Sequence, residues 1–152
     1  GRQTREHEDL EVAIDRADFP AWRSYLESQG YDLYDAAAGR LRRLGPRDEP
    51  DPKFHQVWLC DPREEPVVWR MDTFLEERDG GQWSCHWLPD VRVPMTDAID
   101  RTAEGVAYLR PELVLLGKAK LAVTPEWSLD VMRGLLLALE SSRQKRLLEW
   151  PG

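Results

Sequence analysis

Asp9 and Glu11 are the residues with the clearest chemical potential in this chain. They sit in the run Asp9-Leu10-Glu11-Val12-Ala13-Ile14, where Leu10, Val12 and Ile14 alternate with Asp9, Glu11 and Ala13. Period-two alternation is the pattern of a strand, with apolar side chains on one face and the others on the opposite face. Asp9 and Glu11 then project from one face with Cα atoms roughly 6–7 Å apart. Two carboxylates so placed can lean onto one hard cation such as Mg²⁺, which takes oxygen ligands from carboxylates and substrate phosphates. Arg5 and His7 lie just before the pair, placed to orient it or to meet an anion. The same acid-x-acid spacing also suits a solvated edge strand, so the pair needs support from the rest of the chain.

Asp72 supplies a third carboxylate. It stands inside Val67–Glu76, a run of strong strand formers, where Asp is disfavoured and something should compensate it. In regular alternation Val68, Arg70, Asp72, Phe74 and Glu76 share a face, and Val67, Trp69, Met71, Thr73 and Leu75 the other. Two accounts fit Asp72: a salt bridge to Arg70 on an exposed face, or a position facing Asp9 and Glu11 from an adjacent strand.

Composition sets the frame. The chain has 152 residues and a formal net charge of −7, a length that predicts one domain with a sizeable core. The acidic balance argues against a nucleic-acid partner, which calls for a basic patch. Seven Trp provide core material and flat surfaces on which rings can stack. Cys60 and Cys85 are not in CxxC spacing, and no secretory signal is visible, which predicts reduced thiols and a cytoplasmic protein. No apolar run approaches the ~18 residues of a membrane span.

The elements that must position the acids follow in order. A strand over 8–14 leads to a helix capped by Asp18, with Pro20 in its first turn and Gly30 at its end. Phe19, Trp22, Tyr25 and Leu26 form its apolar side. A strand begins at Tyr31, and Arg40, Arg42 and Arg43 lie on a return segment, where they suit a phosphate or, as the favoured reading, a solvated basic face balancing nearby acids. The Pro-rich charged stretch 45–53 predicts a mobile surface loop. Phe54–Cys60 and Val67–Glu76 read as an antiparallel pair, and Asp79-Gly80-Gly81 as a tight hairpin into a strand at 82–87. A short strand over 91–93, a helix from Pro111 with Leu113 and Leu116 inward, a helix over 126–139 and a last helix over 142–150 complete the chain. The order predicts an α+β domain with a mixed sheet and helices to one side or end.

Three collinear segments resemble a known family. Thr4-Arg5-Glu6-His7-Glu8-Asp9-Leu10-Glu11-Val12, Trp69–Glu76, and Tyr108–Lys120 with its Arg-Pro-Glu, apolar run and Lys-Ala-Lys are similar to segments of the aminoglycoside nucleotidyltransferase-like family. That family is related to the aminoglycoside 2''-adenylyltransferases, within the nucleotidyltransferase superfamily of polymerase-β type. The resemblance implies a mixed-sheet nucleotidyltransferase core over 1–107 and C-terminal helices over 108–152 packed on it. It implies Asp9, Glu11 and Asp72 as Mg²⁺ ligands, Asp72 also as the general base, and Arg5, Lys118 and Lys120 as phosphate contacts. The implied reaction is transfer of a nucleoside monophosphate from a nucleoside triphosphate, ATP foremost, to a hydroxyl of a small molecule. An aminoglycoside is the family's acceptor, which would make the protein an antibiotic-resistance enzyme. The alternative is a degenerate, non-catalytic relative that binds a nucleotide or a protein partner. Three departures bear on the choice. The family's upstream Gly-rich loop does not precede Gly1, which predicts a fragment or a truncated protein. Glu11 stands where many members have Asp. Val123–Ser128 lacks the expected Lys/Asp-rich character.

Overall fold

A computed structural model of the chain describes residues 9–37, 39–77, 80–85, 88–119, 136, 137, 139 and 141. The architecture is α+β, and the chain divides into two compact units, Gly1–Glu77 and Arg78–Gly152. Residues 78–107, expected to belong with the first strand, fall in the second unit.

The first unit is built on a five-stranded mixed sheet. Its strands are β1 (Leu10–Asp15), β2 (Asp32–Ala37), β3 (Arg40–Arg43), β4 (Gln56–Cys60) and β5 (Trp69–Glu76), in the order β1-β5-β4-β2-β3. β1 runs parallel to β5, and the remaining pairs are antiparallel. The expected antiparallel pairing of β4 with β5 is present. A parallel pair needs a crossover connection, and here it contains α1 (Phe19–Ser28) and strands β2 to β4.

Helix α1 covers one face of the sheet. Phe19 and Leu26 pack with Leu33, Leu44, Val57, Leu59 and Leu75, and Ile14, Trp22, Tyr31 and Met71 close the margins. Tyr25, expected inward, is 60% exposed. The helix start also differs from expectation. Asp18 makes no side-chain capping bond; Asp15 Oδ1 instead accepts from Ala17 N at 2.9 Å and opens a 3-10 turn over Arg16–Asp18 that leads into α1. The helix ends as its Gly predicts. Gly30 adopts φ +87°, with Gly30 N on Glu27 O at 3.0 Å and Tyr31 N on Leu26 O at 3.2 Å, the paired bonds of a left-handed helix stop.

The 45–53 loop, expected to be mobile, is tied down. Buried Arg23 on α1 donates to Gly45 O and Asp48 O and pairs with Glu27. Asp51 N donates to the buried Asp35 carboxylate at 3.1 Å, and Pro50 is buried. Arg23 sits four residues after Phe19 and three before Leu26, on the buried stripe of α1, and its charged side chain rather than its spacing hides it from a hydrophobic pattern. Arg23→Ala should leave two carbonyls without their donor and cost about 1–3 kcal/mol, measurable by urea denaturation. The basic cluster behaves as expected: Arg42 pairs with Asp35 at 2.9 Å and Arg43 with Asp32 at 2.6 Å.

The second unit carries two small sheets. β6 (Gln82–Cys85) pairs with β7 (Leu88–Pro94), and β8 (Ile99–Arg101) with β9 (Ala107–Leu109); the short α2 (Met95–Ala98) lies between β7 and β8. The expected hairpin around Gly80-Gly81 does not join β5 to β6. Both glycines have positive φ, so the turn chemistry was legible, but β5 pairs with β1 and β4 while β6 pairs with β7. α3 (Pro111–Ala119) starts at Pro111 as predicted and buries Leu113 against Trp83, Val91, Val93 and Ala98. Leu116 packs at the margin of that cluster, and Leu115 and Glu112 are also buried. The helices expected over 126–139 and 142–150 lie outside the described residues, apart from 136, 137 and 139 of the first.

Candidate active site

The sheet face opposite α1 holds the carboxylates. In the β1–β5 register Glu11 lies directly opposite Asp72, and residues paired across neighbouring strands point to the same side of a sheet. Asp72 is in turn opposite Trp58, Trp58 opposite Tyr34, and Tyr34 opposite Arg43. One row therefore crosses all five strands: Glu11, Asp72, Trp58, Tyr34, Arg43. Asp9 sits in a bend one residue before β1 and is exposed, as is Glu11.

Asp72 is compensated by neither a salt bridge nor bulk solvent. Arg70 turns away and pairs with Glu64. Asp72 Oδ2 accepts from Gln56 Nε2 at 2.9 Å, while its Oδ1 is buried without a hydrogen-bond partner. Burial pushes the Asp72 carboxyl up to about 6; the Gln56 hydrogen bond opposes this, and the Glu11 and Asp9 charges add to it. The Trp58 indole also pulls it down slightly. Trp58, opposite Asp72 in the register, acts on the carboxyl as a hydrogen-bonding group, yet Trp58 Nε1 and Asp72 Oδ1 each lack a completed hydrogen bond. Asp72 thus faces Glu11 from the adjacent strand, the second of the two placements that its sequence context allowed.

Glu11 and Asp72 share a face, and Asp72 feels the charges of both Glu11 and Asp9. Among the described residues, however, no group of three or more His, Cys, Asp or Glu is gathered tightly enough to hold a metal ion. Like charges this close repel, and Asp72 leans on Gln56. The donor set still suits a hard divalent cation: two carboxylates paired on one sheet face, Asp72 with a buried oxygen that lacks a donor, and a third, Asp9, in the bend before β1. Of the expected phosphate contacts, Arg5 and Lys120 lie outside the described residues. Lys118 falls in α3, and its side chain is not among those described.

Four features of this face escape the sequence. Gln56 and Trp58 reach Asp72 only because of the β4–β5 register, which alternation alone does not fix. Glu76, opposite Asp15 at the far end of the same strand pair, is held up at about 7 by burial, with Arg16 acting against the shift. The fourth is Trp69. Leu59 pairs with Met71 but Cys60 pairs with Trp69, so Arg70 is an extra residue in β5. Such a bulge re-aims the chain. Trp69 accordingly leaves the side assigned to it by simple alternation and joins Trp58 and Tyr34, its ring centroid 5.3 Å from each. Cys60, at the end of β4, is a buried free thiol, its pKa raised by burial.

The two raised carboxyls set a pH dependence. Both bind a proton more tightly folded than unfolded, so between pH ~4 and pH ~7 the native state holds more protons. Stability should therefore fall as pH rises through that window. Both groups are partly solvated, which screens the effect to roughly 2–3 kcal/mol in total. Denaturation midpoints measured from pH 4 to 8 check this.

A hollow on the first unit, about 620 Å³, lies among Glu27, Tyr31, Asp32, Arg43 and Asp48 and includes none of the three acids. Its charges are already paired, Glu27 with Arg23 and Asp32 with Arg43. Among the described residues no helix is long and apolar enough to cross a membrane. No protein-family model matches the chain, and no curated protein or solved structure matches it significantly.

Proposed function

We propose that the Asp9, Glu11 and Asp72 face is the site of a Mg²⁺-dependent nucleotidyltransferase. It would move a nucleoside monophosphate from a nucleoside triphosphate, ATP foremost, to a hydroxyl of a small molecule. The supporting observation is the state of Asp72. It is held at about 6 with an unpartnered buried oxygen, directly across from Glu11 and within the field of Asp9. A structural carboxylate in mid-strand would be expected to have its charge answered by a cation of the protein, and Arg70 answers Glu64 instead.

In this reading Asp9 and Glu11, exposed at the start of β1, hold the metal, and Asp72 is a shared ligand. The metal, when bound, neutralises the triphosphate and favours in-line displacement at the α-phosphorus. Gln56 fixes Oδ2 of Asp72 and leaves Oδ1 as the oxygen that takes the hydroxyl proton. A carboxyl poised near 6 is ionised at neutral pH yet basic enough for that task. The acceptor oxygen bonds to the α-phosphorus, its proton passes to Asp72, and pyrophosphate leaves. Arg5, Lys118 and Lys120 are assigned to the phosphates on sequence grounds. The net charge of −7 favours an amine-bearing acceptor, and an aminoglycoside is the acceptor that the sequence resemblance indicates.

A second reading is favoured by one observation, that the acids are not gathered at ligating distance among the described residues. In that reading the chain is a non-catalytic relative that binds a nucleotide or a protein partner. Pyrophosphate release separates the two. With Mg²⁺, ATP and a panel of aminoglycosides and other polyols, the parent chain should release pyrophosphate and Asp9→Asn should not. Binding of ATP with no release under any acceptor would assign the chain to the second reading.

A further inference from the structure

Tyr34, Trp58 and Trp69 belong to neither of the buried hydrophobic clusters. All three are half-buried on the sheet face that α1 leaves uncovered. Trp69 meets Tyr34 edge-on at 88° and Trp58 at 64°. Its presence there depends on the extra residue Arg70 in β5; regular pairing would have sent the ring to the α1 side. Bulges beside functional sites commonly serve to re-aim one side chain. Trp69 lies three residues before Asp72 on β5 itself, and Trp58 and Tyr34 lie one and two strands across from Asp72, about 5 and 10 Å away by strand spacing.

We infer that this aromatic wall is a stacking platform for the nucleobase of the nucleotide whose phosphates the carboxylate face takes. The inference rests on the proposed function for the phosphate end, and on the wall itself for the base. Charge distribution selects the occupant. The ionised groups that flank the rings are paired among themselves, Asp32 with Arg43 and Glu64 with Arg70. The wall therefore presents uncharged π surface, which suits a neutral flat ring. The carboxylates lie beside the wall, Asp72 on β5 and Glu11 opposite it on β1, with Asp9 just before β1, and there metal-bound phosphates belong. A base on the wall and phosphates at the acids lie within the span of a single nucleotide. Stacking on aromatic side chains tolerates any base, because each offers a π face, so the wall sets affinity more than base identity.

The test compares ATP with inorganic tripolyphosphate, both with Mg²⁺, by calorimetry on the parent, Trp69→Leu and Trp69→Tyr, with adenosine alone followed by tryptophan fluorescence. In the parent, ATP should bind about ten- to a hundredfold more tightly than tripolyphosphate. Trp69→Leu should erase that difference without weakening tripolyphosphate, and Trp69→Tyr should keep most of it, which separates loss of a ring from loss of fold. Equal affinities in the parent, or ATP binding unchanged in Trp69→Leu, would overturn the inference and leave the carboxylate reading standing. If neither triphosphate ligand binds, the carboxylate reading fails, and adenosine decides the platform. Quenching by adenosine that Trp69→Leu abolishes would uphold it, and no quenching would overturn it.

Discussion

Asp72→Asn should make the protein more stable at pH 7.5 and abolish the proposed nucleotidyl transfer. The asparagine keeps an oxygen for the Gln56 amide, which donates at 2.9 Å in the parent. It removes a charge that burial, Glu11 and Asp9 all oppose. The sign follows from the raised pKa: above about 6 the parent carries an ionised carboxylate that the fold disfavours, and the amide does not. The gain, screened by solvent, is about 1–2 kcal/mol, a rise of roughly 3–6 °C in Tm for a chain of this size. At pH 4 the parent carboxyl is protonated in the native state and the gain should nearly vanish. Transfer to a hydroxyl acceptor should meanwhile fall by about 10²–10⁴-fold through loss of the base. Stability gained where function is lost is the signature of a strained functional group. Thermal scans at pH 4 and 7.5 beside a pyrophosphate assay read both halves. A destabilised Asp72→Asn at pH 7.5 would mean that the carboxylate is a structural anchor.

The largest stability effect should come from the other face of the same strand. Leu75 has no exposed surface and packs in the cluster formed by Phe19, Leu26, Leu33, Val57 and Leu59. Leu75→Ala removes a branched side chain from the centre of the α1–sheet core. It should cost about 3–5 kcal/mol, since transfer and cavity terms add. Tyr25→Ala on the exposed side of α1 should change stability by no more than about 0.5 kcal/mol. Urea denaturation followed by far-UV circular dichroism distinguishes the two. Because β5 carries Leu75 inward and Asp72 outward, the two substitutions probe opposite faces of one strand and should move stability in opposite directions.

Much of this geometry is legible in the chain, and the parts that are not have identifiable causes. Alternation separated Glu11 and Ala13 from Leu10, Val12 and Ile14, because a strand's side-chain period is fixed by its backbone. Gly30 and Pro111 marked the end of α1 and the start of α3 through their own backbone preferences. Pairing was harder. Nothing local says that β5 adds β1 on its free edge in parallel, so the encounter of Glu11 with Asp72 was one of two open placements. The hairpin read from Gly80-Gly81 failed for the same reason: the glycines permit a turn without choosing the strands that pair. Trp69 was assigned to the wrong side because one extra residue in β5 reverses the faces beyond it. Arg23 and Asp15 took structural roles by bonding to backbone groups distant or unexpected in sequence, which no hydrophobic pattern encodes.

Whether the carboxylate face binds a metal–nucleotide complex is decided by calorimetric titration of ATP into the parent chain and Asp9→Asn, with and without Mg²⁺. The parent should bind ATP only with Mg²⁺ present, and Asp9→Asn should not bind it. ATP binding that is indifferent to Mg²⁺ and to Asp9, or no binding by the parent at all, would contradict this site assignment.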